Sequence, residues 1–158
     1  MHTPSIRDTV AFVRAAHAGA RVEGKPRWMR SLAVMGLLPR VLPGIKVTHA
    51  DRQVALLRDI LETTAVREGA LLRAGFPEAV VDGVVRLSRF DAGCPYLDHL
   101  RAVAASRDLS AMRAAMADLL HEGEFGVAPR GPDAAGEAAE ARERRAEAVA
   151  ILARGLGC

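Results

Sequence analysis

Three charged residues that lie close together in the sequence are the first candidates for chemistry in this chain. Arg58 and Asp59 are adjacent in the segment ALLRDILETT, and Glu62 follows three or four positions later, so a helix places them on one side. An exposed Arg58–Glu62 pair, worth roughly a few tenths of a kcal/mol, is the simplest interpretation. The neighbouring leucine and isoleucine residues leave little room for a wide polar face. This pattern therefore also favours a partly buried charged cluster.

Common catalytic and metal-binding motifs are missing from the sequence. It has no glycine-rich phosphate loop, no Gly-x-Ser-x-Gly elbow and no pair of histidines at metal-ligand spacing. The two cysteines, Cys94 and Cys158, are too few for a secreted disulfide scaffold and too far apart for a zinc knuckle. We expect both to be free thiols.

Helical periodicity runs along almost the whole chain and defines the elements that position the charged residues. Thr48 is the expected N-cap of the helix that carries them. No segment has strand periodicity and no repeat appears, so we expect an all-α bundle of seven to eight helices in one domain, residues 1–158. Loops are expected at Asp91–Pro95 and at Gly123–Gly136, which is rich in glycine and proline. The expected helices begin near Ile6 and then cover about Trp28–Leu38, Thr48–Thr64, Arg67–Arg73, Pro77–Leu87, Tyr96–Ala105, Leu109–His121 and 137–156.

Composition limits the class of protein. The chain has 158 residues, 50% hydrophobic and 26% charged, with a formal charge of +3, which suits a domain with its own core. The longest apolar stretch, Ser31–Pro39, is far shorter than the roughly 20 residues of a membrane span, and the first residues lack a signal peptide's apolar run. We therefore expect a cytoplasmic protein without a membrane partner. The basic residues are interspersed with acids, and one Trp and one Tyr cannot form a stacking surface, so we expect no nucleic-acid partner.

Several segments resemble HD-domain proteins of the metal-dependent phosphohydrolase superfamily, and most closely the guanosine polyphosphate (alarmone) hydrolases. ALLRDILETT is similar to their Ala-Leu-Leu-His-Asp-x-x-Glu-Asp-Thr helix, and MADLL (Met116–Leu120) is similar to their Leu-Ala-Asp-Leu helix. The matching segments follow the family's order from about Thr9 to Leu156. The resemblance therefore implies an HD-domain-like helical bundle. The other matching segments are RAAHAG (Arg14–Gly19), similar to the opening helix with its histidine, GKPRWMRSLAV (Gly24–Val34), similar to Gly-x-Pro-Tyr-x-x-His-Pro-Leu, and AGFPEAVVDGVVRLSR (Ala74–Arg89), similar to the following helix pair.

The same resemblance implies that the family's metal site is altered in this chain. The family holds one divalent cation, usually manganese, and the positions that match its ligands are Arg30, Arg58, Asp59 and Asp118. Arginine is permanently charged and has no lone pair for a metal, and two aspartates are too few ligands for a transition metal. Thr63 also stands where the family has an acidic residue that handles water. We therefore expect no metal, no other cofactor and no hydrolysis by the family's route.

The charges at these positions predict a pocket that keeps its shape without a metal. If both arginines point into the former metal cavity, their guanidinium groups offset the two aspartates through hydrogen-bonded ion pairs. We expect the four residues to form an internal salt-bridge network, with Glu62 and His17 at its rim. Arg27 and Trp28 are candidates for the mouth of the pocket, although a tryptophan is more often part of a core.

Two functions from different classes follow from this pocket. The first is binding of an anionic or polar small molecule by the arginines. The second is a metal-independent acid/base enzyme of the lyase, cyclase or hydrolase type, with Glu62 or Asp59 as base and His17 as proton partner. A working metal-dependent phosphohydrolase and an interaction module without a ligand are further alternatives. Further candidates for the pocket are Tyr96 and His99 on one helix and His121, three residues after Asp118.

Overall fold

The computed structural model of the chain describes residues 2–41, 43–89, 93–126 and 128–157, and these are mostly helical. The expected all-α architecture is confirmed. Eight longer helices match the expected ones, and two helices of four residues add to them in the described residues. The elements are α1 (Ile6–Ala16), β1 (Arg21–Val22), β2 (Lys25–Pro26), α2 (Arg27–Gly36), α3 (Leu38–Val41), α4 (His49–Leu57), α5 (Ile60–Thr63), α6 (Glu68–Arg73), α7 (Glu78–Leu87), α8 (Tyr96–Ala105), α9 (Leu109–Phe125) and α10 (Ala134–Gly155).

Helix α4 lies at the centre and contacts α1, α2, α7 and α9. It begins as the sequence predicts, because the Thr48 side chain accepts from the Asp51 N–H while the Asp51 carboxylate accepts from the Thr48 N–H. The same carboxylate accepts hydrogen bonds from Ser110 at 2.7 Å and from Arg113 at 2.9 Å, both on α9. One buried acidic residue therefore caps α4 and also joins it to α9.

The buried apolar side chains form two clusters that share α9. The first surrounds α4 and includes Ala114 and Ala117 of α9. The second lies between α8, α9 and α10 and includes Met112 and Met116. Helix α9 is therefore buried on two faces, which holds the residues between those faces in fixed positions.

The expected helix over Thr48–Thr64 is wrong in one respect, because the chain leaves the helical path after Arg58, at Asp59. Asp59 has φ −111° and ψ 3°, and α5 begins only after it. Arg58, Asp59 and Glu62 nevertheless line one cavity, with Arg58 buried and Glu62 exposed. The sequence pattern could not show the break at Asp59, since no proline or glycine marks the position.

The expected loop at Gly123–Gly136 is also too long. Helix α9 continues to Phe125 and α10 begins at Ala134, which leaves a connection of residues 126–133, of which Val127 is outside the described residues. A Cβ at position 123 would lie 3.2 Å from the Arg145 side chain of α10, so the glycine permits close packing of the two helices. This tertiary packing outweighs the low helix propensity of glycine.

A short hairpin and a proline-containing helix were not predicted. Glu23 and Gly24 both have positive φ, 55° and 74°, which produces the tight two-residue turn between β1 and β2. Strands of two residues are too short to show alternation in the sequence. Pro39 is part of α3, because a proline in the first turn of a helix needs no N–H donor.

The remaining expectations concern the cysteines, the loop at Asp91–Pro95 and membrane spans. Cys94 is a free thiol, whereas Cys158 and the first part of the expected loop at Asp91–Pro95 lie outside the described residues. None of the helices in the described ranges has the length and apolar character that a bilayer span requires.

Candidate functional site

Asp118 on α9 pairs with two arginines from different helices. Its Oδ1 atom lies 3.1 Å from Nη2 of Arg30 on α2 and 3.2 Å from Nη2 of Arg58, the residue that ends α4. The Arg58 side chain is only 7% exposed and also donates to the Ser31 hydroxyl at 3.4 Å. The structure thus brings together the matched positions of the expected network, and their charges compensate each other.

Asp59 is the second acidic centre of this network. Arg27 donates to its Oδ2 through Nε at 3.2 Å and Nη2 at 3.0 Å, and Arg58 Nη1 lies 3.9 Å from Oδ1. Burial alone would raise the pKa of this carboxyl, but its close contact with the His17 imidazole and the charges of Arg58 and Arg27 hold its pKa well below the usual range. Asp59 is therefore an ionised carboxylate at neutral pH, and a weak base.

His17 lies beneath Asp59 rather than at the rim of the network, so that expectation is wrong. It is the residue that ends α1, where the chain turns the imidazole inward, and it is 2% exposed. Its Nε2 atom lies 3.5 Å from Asp59 Oδ1. Within the described part of the chain, neither ring nitrogen makes a well-aligned hydrogen bond. Its position indicates support for Asp59 from the core side.

The two aspartates and the three arginines that pair with them line a cavity of about 270 Å³ between α2, α4, α7, α8 and α9. Four arginines and three carboxylates face it, so the described lining has one positive charge in excess. Its apolar part comes from the end of α7, the middle of α8 and α9. The lining residues are Arg27, Arg30, Arg58, Asp59, Glu62, Leu87, Arg89, Tyr96, His99, Leu100, Ala115 and Asp118.

Glu62 and Arg89 stand at the mouth of this cavity. The Arg89 N–H donates to Glu62 Oε1 at 2.6 Å, and the Arg89 guanidinium donates to the Cys94 carbonyl at 2.8 Å. The same guanidinium lies 5.4 Å from the centre of the Tyr96 ring, at cation–π distance. Sequence reasoning did not single out Arg89, and its only signal was its place two residues after the end of α7.

Tyr96 and His99 lie in the cavity wall on α8, as expected. Burial raises the pKa of Tyr96 to about 12, with the charges of Asp118 and Glu122 acting in the same direction. Tyr96 is therefore a hydroxyl donor throughout the neutral range. Burial lowers the pKa of His99, whose Nε2 lies 3.1 Å from the Leu87 carbonyl, so this imidazole adds no charge at neutral pH.

The structure does not bring Trp28 and His121 to the same cavity. Trp28 packs against the first apolar cluster, with the Arg14 guanidinium 5.1 Å from its ring centre, on the α1 side of α2. His121 lines a separate cavity of about 400 Å³ between the hairpin, α2 and the end of α9. Arg30 lines both cavities. Trp28 is one position after Arg27, and a helix turns adjacent side chains in different directions.

The residues present do not fit the divalent cation that the family resemblance implies. In the ranges that the structure describes, no group of three or more His, Cys, Asp or Glu side chains is arranged to hold a metal ion. At the matched positions, the guanidinium groups of Arg30 and Arg58 take up the Asp118 carboxylate and would repel a cation. The ion pairs therefore replace metal coordination as the contacts of these aspartates.

Comparison with known proteins assigns no family to this arrangement. No protein-family model matches the chain, and no curated protein shows significant similarity to it. The HD-domain resemblance thus stays a prediction that rests on the sequence motifs. What the protein does has to be argued from the chemistry of the cavity.

The geometry serves anion binding better than proton transfer. Asp59 is a weak base because of its low pKa, and the described cavity lining does not include His17. Glu62 already accepts a short hydrogen bond from a backbone N–H. The arginines, in contrast, are held at fixed positions and present donors that match carboxylate and phosphate oxygens.

Proposed function

We propose that this chain is an HD-domain-like protein that binds an anionic or polar small molecule in the arginine-lined cavity, without a metal and without hydrolysing phosphate. The observation that carries this proposal is the excess of arginine over carboxylate in one cavity. A partly enclosed site with an excess of positive charge attracts an anion. Little water lies between the anion and the arginines, so solvent screens their attraction only weakly.

The excess charge lies at the mouth of the cavity. Arg30 and Arg58 are paired with Asp118, and Arg27 is paired with Asp59. For Arg89, the described residues supply a carbonyl oxygen and an aromatic ring rather than a carboxylate. A ligand that enters from solvent therefore meets a guanidinium whose charge no described acidic group compensates.

The paired arginines support binding by keeping the inner wall rigid. Arg58 is held by contacts to Asp118, Asp59 and Ser31, so little side-chain freedom is lost when a ligand contacts it. Arg30 is partly exposed, and its Nη2 atom donates to the same Asp118 carboxylate, so its position is also fixed. A rigid inner wall and an outer arginine without an acidic partner among the described residues are typical of a preorganised anion site.

Catalysis by the same cavity without a metal has less support. Catalysis needs a base whose pKa is near the working pH, and the pKa of Asp59 is far below that range. Glu62 is the remaining acidic candidate, but its carboxylate holds the Arg89 backbone in place. We therefore propose binding as the primary function.

Thermal unfolding with added anions tests this function. We expect acetate, benzoate, inorganic phosphate or phenyl phosphate to raise the Tm of the wild-type chain above that in chloride of equal ionic strength. Arg89→Gln should remove most of that rise. Arg101→Gln is the matched control, because Arg101 pairs on the surface with Asp98 and Glu147 and is absent from the cavity lining.

Two results would contradict the proposed function. One is a wild-type Tm that none of these anions changes relative to chloride. The other is a rise of equal size in the Arg89→Gln variant, since the anion would then bind elsewhere. A normal far-UV circular dichroism spectrum of each variant verifies that the comparison is made between folded proteins.

A further inference from the structure

We propose that the ligand of the arginine-lined cavity is a small organic monocarboxylate whose apolar body packs on Leu87, Leu100 and Ala115. This inference rests on the proposed function and specifies the chemical class of the ligand. It follows from three properties of the cavity, namely its charge balance, its apolar wall and its size.

The charge balance favours a single negative charge. One positive charge is in excess in the described lining, and a carboxylate neutralises it. A phosphomonoester carries close to two negative charges at neutral pH, so its second charge would have no partner. That charge would lie near the carboxylates of Asp59, Glu62 and Asp118 in a site with little water, where repulsion is strong.

The apolar wall favours an organic body behind the carboxylate. Leu100 is 3% exposed and Ala115 is 8% exposed, and Leu87 lies beside them at the end of α7. This wall lies among α7, α8 and α9, whereas Arg89 and Tyr96 lie toward the mouth. A carboxylate at Arg89, with a hydrogen bond from the Tyr96 hydroxyl, directs the rest of the molecule toward the apolar wall.

The size of the cavity favours a small ligand. A volume of about 270 Å³ lies just below the roughly 300–1,000 Å³ of most small-molecule sites. A compact ring or a short chain fits this space. Benzoate and hexanoate are suitable probes, and acetate lacks the apolar body while it keeps the carboxylate.

Calorimetric titration with matched probes tests the inference. We expect benzoate and hexanoate to bind at least about tenfold more tightly than acetate, because each buried methylene contributes up to about fourfold. Phenyl phosphate carries a similar ring with a different head group. Its affinity should rise roughly 20-fold from about pH 7.5 to about pH 5.5, as the ester becomes a monoanion near its second pKa of about 6.

Benzoate measured at both pH values controls for titration of the protein itself. The groups that face the ligand are the three carboxylates, the four arginines, Tyr96 and His99. His99 is the imidazole in the described lining, and burial lowers its pKa. We therefore expect the benzoate affinity to change much less than the phenyl phosphate affinity.

Glu62→Gln gives an independent test of the charge balance. Glutamine retains an oxygen that accepts from the Arg89 N–H, but the excess positive charge rises by one. Relative to benzoate, phenyl phosphate should then gain roughly fivefold in affinity at about pH 7.5. Glu140→Gln is the matched control, because Glu140 is exposed on α10 and is not in the cavity lining.

The outcomes separate this inference from the proposed function. If phenyl phosphate binds more tightly than benzoate at the higher pH, or if acetate binds as tightly as hexanoate, the monocarboxylate inference is wrong while anion binding stands. If no probe binds the wild-type chain, both proposals are wrong. If Glu62→Gln leaves the ratio of the two affinities unchanged, the charge argument is overturned.

Discussion

Replacing Asp118 with asparagine removes a carboxylate that pairs with both Arg30 and Arg58 and keeps the size of the side chain. The nearly buried Arg58 then retains only Ser31 and the more distant Asp59 among these partners. Breaking a fully buried ion pair costs about 3–5 kcal/mol. Because the Asp118 side chain is 32% exposed, solvent screening reduces the expected loss of unfolding free energy to roughly 2 kcal/mol. For a domain of this length, the Tm should fall by about 4–8 °C.

Urea unfolding, followed by circular dichroism and by the fluorescence of Trp28, measures this loss. Asp98→Asn is the matched control, because the Asp98–Arg101 pair is exposed on both sides and should contribute less than about 1 kcal/mol. A loss for Asp118→Asn that is no larger than the loss for Asp98→Asn would refute the reasoning.

A double variant separates pairing from packing. Arg58→Met together with Asp118→Leu replaces the charged pair with apolar side chains of similar size, and such replacements are often neutral. We expect the double variant to be more stable than the sum of the two single losses predicts. Additive losses would show that the two side chains do not stabilise each other.

Two further predictions concern pH and helix packing. Asp59 has a pKa below its ordinary value, so its stabilisation is complete above about pH 4 and is lost as pH falls toward its folded pKa. Acid unfolding of Asp59→Asn should therefore show a shallower loss of stability below about pH 4 than the wild type shows. Gly155→Ala should cost about 1–3 kcal/mol in urea, because its Cβ would lie 2.9 Å from the Met112 sulfur. Gly136→Ala, with open space at its Cβ, should instead stabilise α10 by up to about 1 kcal/mol, and equal effects at both positions would contradict the packing argument.

The sequence predicted the helical architecture and the inner part of the site well, for a physical reason. Helix periods and caps are local signals, and Thr48 caps α4 as expected. The pairing of Asp118 with arginines follows from charge, since the buried Arg58 and the partly exposed Arg30 need an acidic partner. The order of the family motifs, rather than any local pattern, suggested that Asp118 lies close to these arginines.

The outer part of the site was not predictable in the same way. The side chain of Arg89 reaches the cavity because Glu62 fixes its backbone, and that contact joins residues 27 positions apart. No local residue marks the break of the helix at Asp59, which lies between Arg58 and Glu62. His17 turned out to be buried because the chain turns inward at the end of α1. Each of these features depends on contacts between distant segments.

The sharing of α9 by both apolar clusters links the far end of the chain to the cavity. The C-terminal helix is absent from the described lining, yet it packs on α8 and α9, which supply Tyr96, Leu100 and Asp118. Its Ile151 and Leu152 shield the second cluster from water. If α10 loosened, water would reach the outer side of the cavity wall that carries the ion pairs. Helix α10 thus supports the cavity from outside, and the shape of the cavity depends on residues that do not belong to its described lining.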